Sequence, residues 1–200
     1  MKFFVNFLSA FRIAAAFAII PTLMFGLYWT TFILYVLAAL SDWFDGFLAR
    51  KYNVCSKLGG VMDHIGDKLL VVNTFIMLVV MMPVWFIVVP IIIMIARELY
   101  ISGLREFLGT QKIEMPVQKG RFSMAKIKTT LQMITFEAFL LLFAIGAMLT
   151  PEMDSRTIMW LINILPHIGI WGTWLSLLAS VWSATQYTIT FSQKIKQIKK

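Results

Sequence analysis

The chain has 200 residues, of which 60% are hydrophobic, with 18 basic and 10 acidic side chains and a single cysteine. A soluble domain is about half apolar; this excess, gathered into long runs nearly free of charge, excludes a water-soluble globule and indicates an all-α polytopic membrane protein. The net charge of +8 comes with no basic tract carrying interleaved aromatics, which argues against nucleic acid as a partner, and the lone Cys55 excludes an internal disulfide.

Six transmembrane helices are expected, at about 8–27, 31–50, 60–82, 84–107, 126–148 and 160–190, from runs long enough to cross a bilayer. The opening Met1-Lys2-Phe3-Phe4 imitates a signal peptide, but Arg12 interrupts the apolar run and apolar sequence continues beyond it, so the segment is expected to be retained as the first span. The second span ends in Asp42-Trp43-Phe44-Asp45-Gly46-Phe47-Leu48-Ala49-Arg50, and after the connection Lys51–Lys57 the third opens with Gly59 and carries Asp63 and Asp67. Met82-Pro83 separates the third from the fourth, which carries Arg97, Glu98, Ser102 and Arg105. A polar stretch at 109–124 precedes the fifth, with Lys126 and Lys128 near its start and Glu137 deep within it. Beyond Pro151–Arg156 the sixth span is long and is expected to break near Pro166, Gly169 and Gly172. With no repeat and no separate soluble part, residues 1–200 read as one integral membrane domain.

Lys2, the group Arg50, Lys51 and Lys57, the group Lys112, Lys119 and Arg121, and the closing Lys194, Lys196, Lys199 and Lys200 fall on alternate connections; the others carry only Arg156. Basic residues stay on the cytoplasmic side, so both termini are expected there, as an even number of spans requires. At 1.5 Å per residue, Asp45 and Asp42 lie roughly 8 and 12 Å below Arg50, and Asp63 and Asp67 roughly 9 and 15 Å below Lys57. The two pairs are thus expected to meet at similar depth on the cytoplasmic side.

Four carboxylates in such a setting need a reason. An ionised carboxylate at the centre of a membrane helix costs roughly 2.5–3.5 kcal/mol, and function is the default explanation for it. Asp42 and Asp45 share one helix face at i, i+3, and Asp63 and Asp67 share one at i, i+4. Carboxylate oxygens suit hard divalent cations such as Mg²⁺ or Mn²⁺, and two metals among four carboxylates suit phosphoryl displacement. Gly46, Ala49 and Gly59 either allow close helix packing or leave room for a ligand. Arg50 is either a topology anchor or a diphosphate contact.

Together these residues carry the pattern D-x2-D-G-x2-A-R-x8-G-x3-D-x3-D at every fixed position: Asp42, Asp45, Gly46, Ala49, Arg50, Gly59, Asp63 and Asp67. On it the chain resembles the CDP-alcohol phosphotransferase family. The resemblance implies six helices, a homodimer and a two-metal site open to the cytoplasm. It also implies displacement of CMP from a CDP-linked donor by an alcohol. By the same resemblance Asp42, Asp45, Asp63 and Asp67 are metal ligands, with Asp67 also the general base. Gly46, Ala49, Arg50 and Gly59 would contact CDP-diacylglycerol, and the localisation implied is the bacterial inner membrane.

Further motifs are similar to one branch of that family, which takes glycerol 3-phosphate as acceptor: Asn6-Phe7-Leu8-Ser9-Ala10-Phe11-Arg12, Ile95-Ala96-Arg97-Glu98 through Arg105-Glu106, and Lys126-Ile127-Lys128-Thr129-Thr130. That small dianion needs fixed cations. Glu98, Ser102 and Arg105 share a helix face at i, i+4, i+7, and Arg97, Arg105 and Lys126 are the candidate phosphate contacts. Snorkelling and topology account for Lys112, Lys119 and the C-terminal lysines. Departures from the family's usual pattern are His64 and Gly66 between the last two aspartates and Ala125 before Lys126. Another acceptor alcohol (an inositol phosphate, phosphatidylglycerol or serine) is the nearest alternative, and a divalent-cation transporter a more distant one, since buried aspartates also line ion paths.

Overall fold

The computed structural model describes residues 2–52, 57–110, 124–149 and 156–198, with the backbone alone at 2–5, 42–43, 45–52, 57–58, 124–126 and 196–198. Six helices run in order: α1 (Lys2–Met24), α2 (Tyr28–Tyr52), α3 (Lys57–Met81), α4 (Trp85–Thr110), α5 (Met124–Met148) and α6 (Arg156–Ile198). There is no strand among the described residues. A spanning segment must satisfy every backbone polar group internally, which a helix does. Asn6–Met24, Gly59–Met81, Trp85–Thr110, Ile127–Met148 and Arg156–Ile195 are each long and apolar enough to cross a membrane, and α2 has a shorter apolar stretch, Tyr28–Ser41, before its aspartates. The protein is therefore an all-α polytopic membrane protein.

Local chemistry sets the turns. Gly26 has φ +71°, a conformation that glycine adopts without the Cβ penalty. It lets Leu27 N donate to Thr22 O at 2.9 Å and Gly26 N to Leu23 O at 3.0 Å, the paired bonds that close a helix on a left-handed residue. This tight reversal lays α2 back along α1. A second short reversal at 82–84 joins α3 to α4, with Ile87 N and Val88 N both donating to Val84 O at 2.9 Å.

α1 packs on both α2 and α3, so one helix braces the two that carry the aspartates. From α2 the contacts continue to α5, from α5 to α6 and from α6 to α4, and α3 completes the circuit with slighter contacts to α4 and α5. The core where they meet includes Ala16 and Ile19 of α1, Leu78 of α3, Ile91 of α4 and Phe139 of α5. Outward-facing Phe17, Ile76, Ile92 and Leu178 are each more than 45% exposed. Such an apolar exterior suits hydrocarbon and not water.

The expected break in the last span does not occur: α6 is one helix of 43 residues. Its glycines serve packing instead. A Cβ on Gly169 would lie 2.5 Å from Phe139 Cζ, and one on Gly172 would collide with Thr135 Oγ1. The small residues thus let α6 approach α5 closely. Neighbouring helices make a proline such as Pro166 tolerable in a membrane helix. At 1.5 Å per residue α6 is about 65 Å long, roughly twice the hydrocarbon thickness, so part of it extends beyond the apolar layer.

Candidate active site

Asp63 and Asp67 stand one turn apart on α3 and share a single nitrogen. Arg12 Nη1 of α1 donates to Asp63 Oδ1 at 2.7 Å and to Asp67 Oδ1 at 2.8 Å. The three are exposed very unequally. Arg12 is sealed at 0% side-chain exposure, while Asp63 and Asp67 keep 44% and 46%. The guanidinium therefore acts from behind, and the carboxylates present themselves to the open side. Gly66 lies between them, where a Cβ would sit 3.5 Å from Arg12 Cδ and 3.4 Å from Ile13 Cγ1. About two turns further along the same seam Asn73 Nδ2 donates to Ala16 O at 2.9 Å, which keeps α1 and α3 in register.

The donor chemistry of this group fits a hard divalent cation. A carboxylate has two oxygens and about four lone-pair sites, and Arg12 engages one oxygen on each side chain. Two carboxylates with one guanidinium leave a net negative charge, nearly half exposed. Asp42 and Asp45 lie on α2, but their side chains, with those of Gly46, Ala49 and Arg50, are outside the described residues. Among the described residues alone no three His, Cys, Asp or Glu side chains are grouped to hold an ion, so a site here needs the α2 pair. Gly59 is buried on α3 one turn before Asp63.

A second group lies where α4, α5 and α6 meet. Glu98 Oε2 accepts from Arg97 Nη1 and from Lys128 Nζ, both at 2.7 Å. Arg97 Nη2 also donates to Ser183 Oγ of α6 at 3.2 Å. Arg97 and Lys128 are 10% and 11% exposed at their side chains and Glu98 27%. Both cations would be costly without a counter-charge, and Glu98 supplies it. Ser102 Oγ donates to Glu98 O at 2.8 Å, and Lys68 Nζ of α3 donates to Ser102 Oγ. Glu98 and Ser102, two positions of the face expected from helical spacing, thus contact α5 and α3 respectively. Arg105 is exposed, with its guanidinium carbon 5.5 Å from the centre of the Tyr187 ring of α6, within cation–π range.

Of the candidate phosphate contacts, Arg105 is on the open side, Arg97 is nearly sealed and held by Glu98 and Ser183, and Lys126 has its side chain outside the described residues. Several residues of the site were not assigned from sequence. Arg12 is paired with residues more than fifty positions away; the interrupted apolar run and the Asn6–Arg12 motif marked it, but neither named its partners. Lys68, Lys128, Ser183 and Tyr187 likewise gained their places through packing between helices.

The comparisons with known proteins agree in kind. The family model for CDP-alcohol phosphatidyltransferases matches residues 3–182. A protein of Blochmanniella floridana named CDP-diacylglycerol–glycerol-3-phosphate 3-phosphatidyltransferase is 28% identical, over 96% of this chain and 93% of its own. One of the same name in Rickettsia bellii is 36% identical over 82% of this chain and 88% of its own. Another in Rickettsia felis is 38% identical over 68% and 72%.

Proposed function

The chain belongs to the CDP-alcohol phosphatidyltransferase family, and from that premise we propose that it transfers the phosphatidyl group of CDP-diacylglycerol to glycerol 3-phosphate, releasing CMP. The observation that carries this reading is the pairing of opposite charge groups at one end of the bundle. The carboxylates Asp63 and Asp67 are open on α3. Beside them on α3 and α4 are the cations Lys68 and Arg105. One group suits the metal and proton side of the reaction, the other an anionic acceptor. The relatives bear the name of this reaction.

Two divalent ions held by Asp42, Asp45, Asp63 and Asp67, Mg²⁺ or Mn²⁺, would bind the diphosphate and neutralise charge on the departing CMP. Arg12 orients Asp63 and Asp67 through its two hydrogen bonds. Asp67 accepts the proton of the glycerol hydroxyl as that oxygen attacks the β-phosphorus in line. The new P–O bond forms on the glycerol oxygen while the bond from the β-phosphorus to the bridging oxygen breaks, and the electron pair leaves with CMP. Gly46, Ala49, Arg50 and Gly59 contact the donor, and Arg97, Arg105 and Lys126 serve the acceptor phosphate. The acyl chains stay in lipid while the headgroup enters from the cytoplasmic face of a bacterial inner membrane. The working unit is a homodimer of single-domain chains.

The test is CMP release by purified protein with CDP-diacylglycerol and a panel of alcohols: glycerol 3-phosphate, inositol phosphate, serine and phosphatidylglycerol. Turnover with glycerol 3-phosphate at least tenfold above the others is expected. Preference for another alcohol would reassign the acceptor, and metal flux in proteoliposomes without CMP release would replace the reaction class.

A further inference from the structure

We propose that Lys68 is a further contact for the acceptor's phosphate, added from α3 to Arg105 of α4. This rests on the reading of the reaction given above and adds a residue to it.

Several cations of the bundle are already held by carboxylates. Arg97 and Lys128 share the Glu98 carboxylate and are nearly sealed. Arg12 is sealed between two carboxylates. Among the described residues Lys68 and Arg105 have no carboxylate partner: Lys68 donates to the neutral hydroxyl of Ser102, and Arg105 rests on the Tyr187 ring. A partly exposed ammonium whose described partner is a neutral hydroxyl is available to an anion. A lysine also has three donors, and Ser102 takes one.

Position gives the anion its place. Lys68 follows Asp67 directly, and successive helical residues point about 100° apart. Asp67 turns toward α1, where Arg12 holds it, and Lys68 turns toward α4, where Ser102 holds it. Arg105 lies one turn beyond Ser102 on α4. The α3–α4 contact is one of the two slighter ones in the helix circuit, and Lys68 reaches across it to Ser102. An acceptor with a hydroxyl at one end and a dianionic phosphate at the other matches a base and an ammonium on neighbouring residues. Two cations from different helices also favour a phosphate over a neutral alcohol.

Kinetics with each substrate varied in turn test this. Lys68→Met is expected to raise the KM for glycerol 3-phosphate by about tenfold to a hundredfold and to leave the KM for CDP-diacylglycerol within about threefold. Lys68→Arg should recover part of the loss, because charge is kept and geometry changes. Ser102→Ala separates binding from a tie between helices. If Lys68 only joins α3 to α4, Ser102→Ala will reproduce the Lys68→Met kinetics and the proposal fails. If Arg105→Ala raises the acceptor KM while Lys68→Met does not, Lys68 is excluded and the acceptor reading stands. If neither variant changes acceptor kinetics and wild-type protein does not consume glycerol 3-phosphate, the reading of the reaction fails first. Should Lys68→Met not fold in detergent, Lys68→Gln, which keeps a donor to Ser102 without the charge, carries the same expectation.

Discussion

On the α1–α3 seam one cation lies between two carboxylates; where α4 and α5 meet, one carboxylate lies between two cations. The bonds are nearly identical in length, 2.7 and 2.8 Å for Arg12 and 2.7 Å twice for Glu98. What differs is stoichiometry and which member is sealed. Around Arg12 the sealed member is the cation and the open members are the carboxylates, so the surplus negative charge faces outward. Around Glu98 both cations are nearly sealed, and two more cations, Lys68 of α3 and Arg105, lie about one to two turns further along α4. Charges in a membrane protein are rare and mostly paired, and among the contacts described the two triads pair them in opposite proportions. The first triad has the sign that the proposed metal ions require, and the second the sign that the proposed acceptor phosphate requires.

Breaking the negative triad should have the largest effect. Asp67→Asn removes the proposed base, and general-base catalysis contributes about 10²–10⁴ in rate. A fall of that order in CMP release is expected, with binding of CDP-diacylglycerol partly retained because the other carboxylates remain. Asp63→Asn is expected to lose turnover at least as severely. Near-normal rates in both would move the chemistry off α3, and complete turnover after rigorous chelation would end the two-metal description. Loss of donor binding as complete as loss of catalysis in Asp67→Asn would make Asp67 a ligand alone.

Next in size is the cation of that triad. Arg12→Met keeps an apolar stem of similar reach but leaves two like charges one turn apart. Removing one partner of a buried pair costs about 3–5 kcal/mol; with Asp63 and Asp67 nearly half exposed, about 2 kcal/mol is expected, on the scale of a lost charge-assisted hydrogen bond. Thermal unfolding in detergent measures it. The matching change in the other triad is Lys128→Met, which leaves Glu98 its bond to Arg97. A smaller loss, about 1 kcal/mol, follows. Equal losses would mean that stoichiometry does not govern the two triads, and that packing around each does.

The same contrast explains what was legible in the sequence. The helices were, because charge-poor runs broken by Pro83 or by polar stretches read as spans. The four aspartates also stood out, since their cost in an apolar run is local. The Glu98–Ser102–Arg105 face followed from helical spacing alone. Arg12 as the partner of Asp63 and Asp67 did not, because α1 and α3 meet through packing that no local pattern encodes. The continuity of α6 was misjudged for a related reason: Gly169 and Gly172 look like breakers until Phe139 and Thr135 are seen against them. Sequence spacing conveys what one helix presents, and the partner helix decides what the presentation is for.

The smallest expected effect separates charge from packing on the α1–α3 seam. Gly66 lies where the stem of Arg12 passes, and a Cβ there would meet Ile13 Cγ1 at 3.4 Å and Arg12 Cδ and Cβ at 3.5 and 3.7 Å. These are ordinary van der Waals separations, so Gly66→Ala need not displace the guanidinium. Alanine is also favoured over glycine in a helix interior by about 1 kcal/mol. The variant should unfold at the wild-type temperature or slightly above it, with CMP release within about twofold. Gly172→Ala is the control, because its Cβ would collide with the Thr135 hydroxyl and should lower stability. If Gly66→Ala instead reproduces the losses of Arg12→Met, the aspartates depend on the packing of the Arg12 stem and not on its charge alone. The negative triad would then be set by shape, and the comparison with Glu98 would have to be redrawn on that ground.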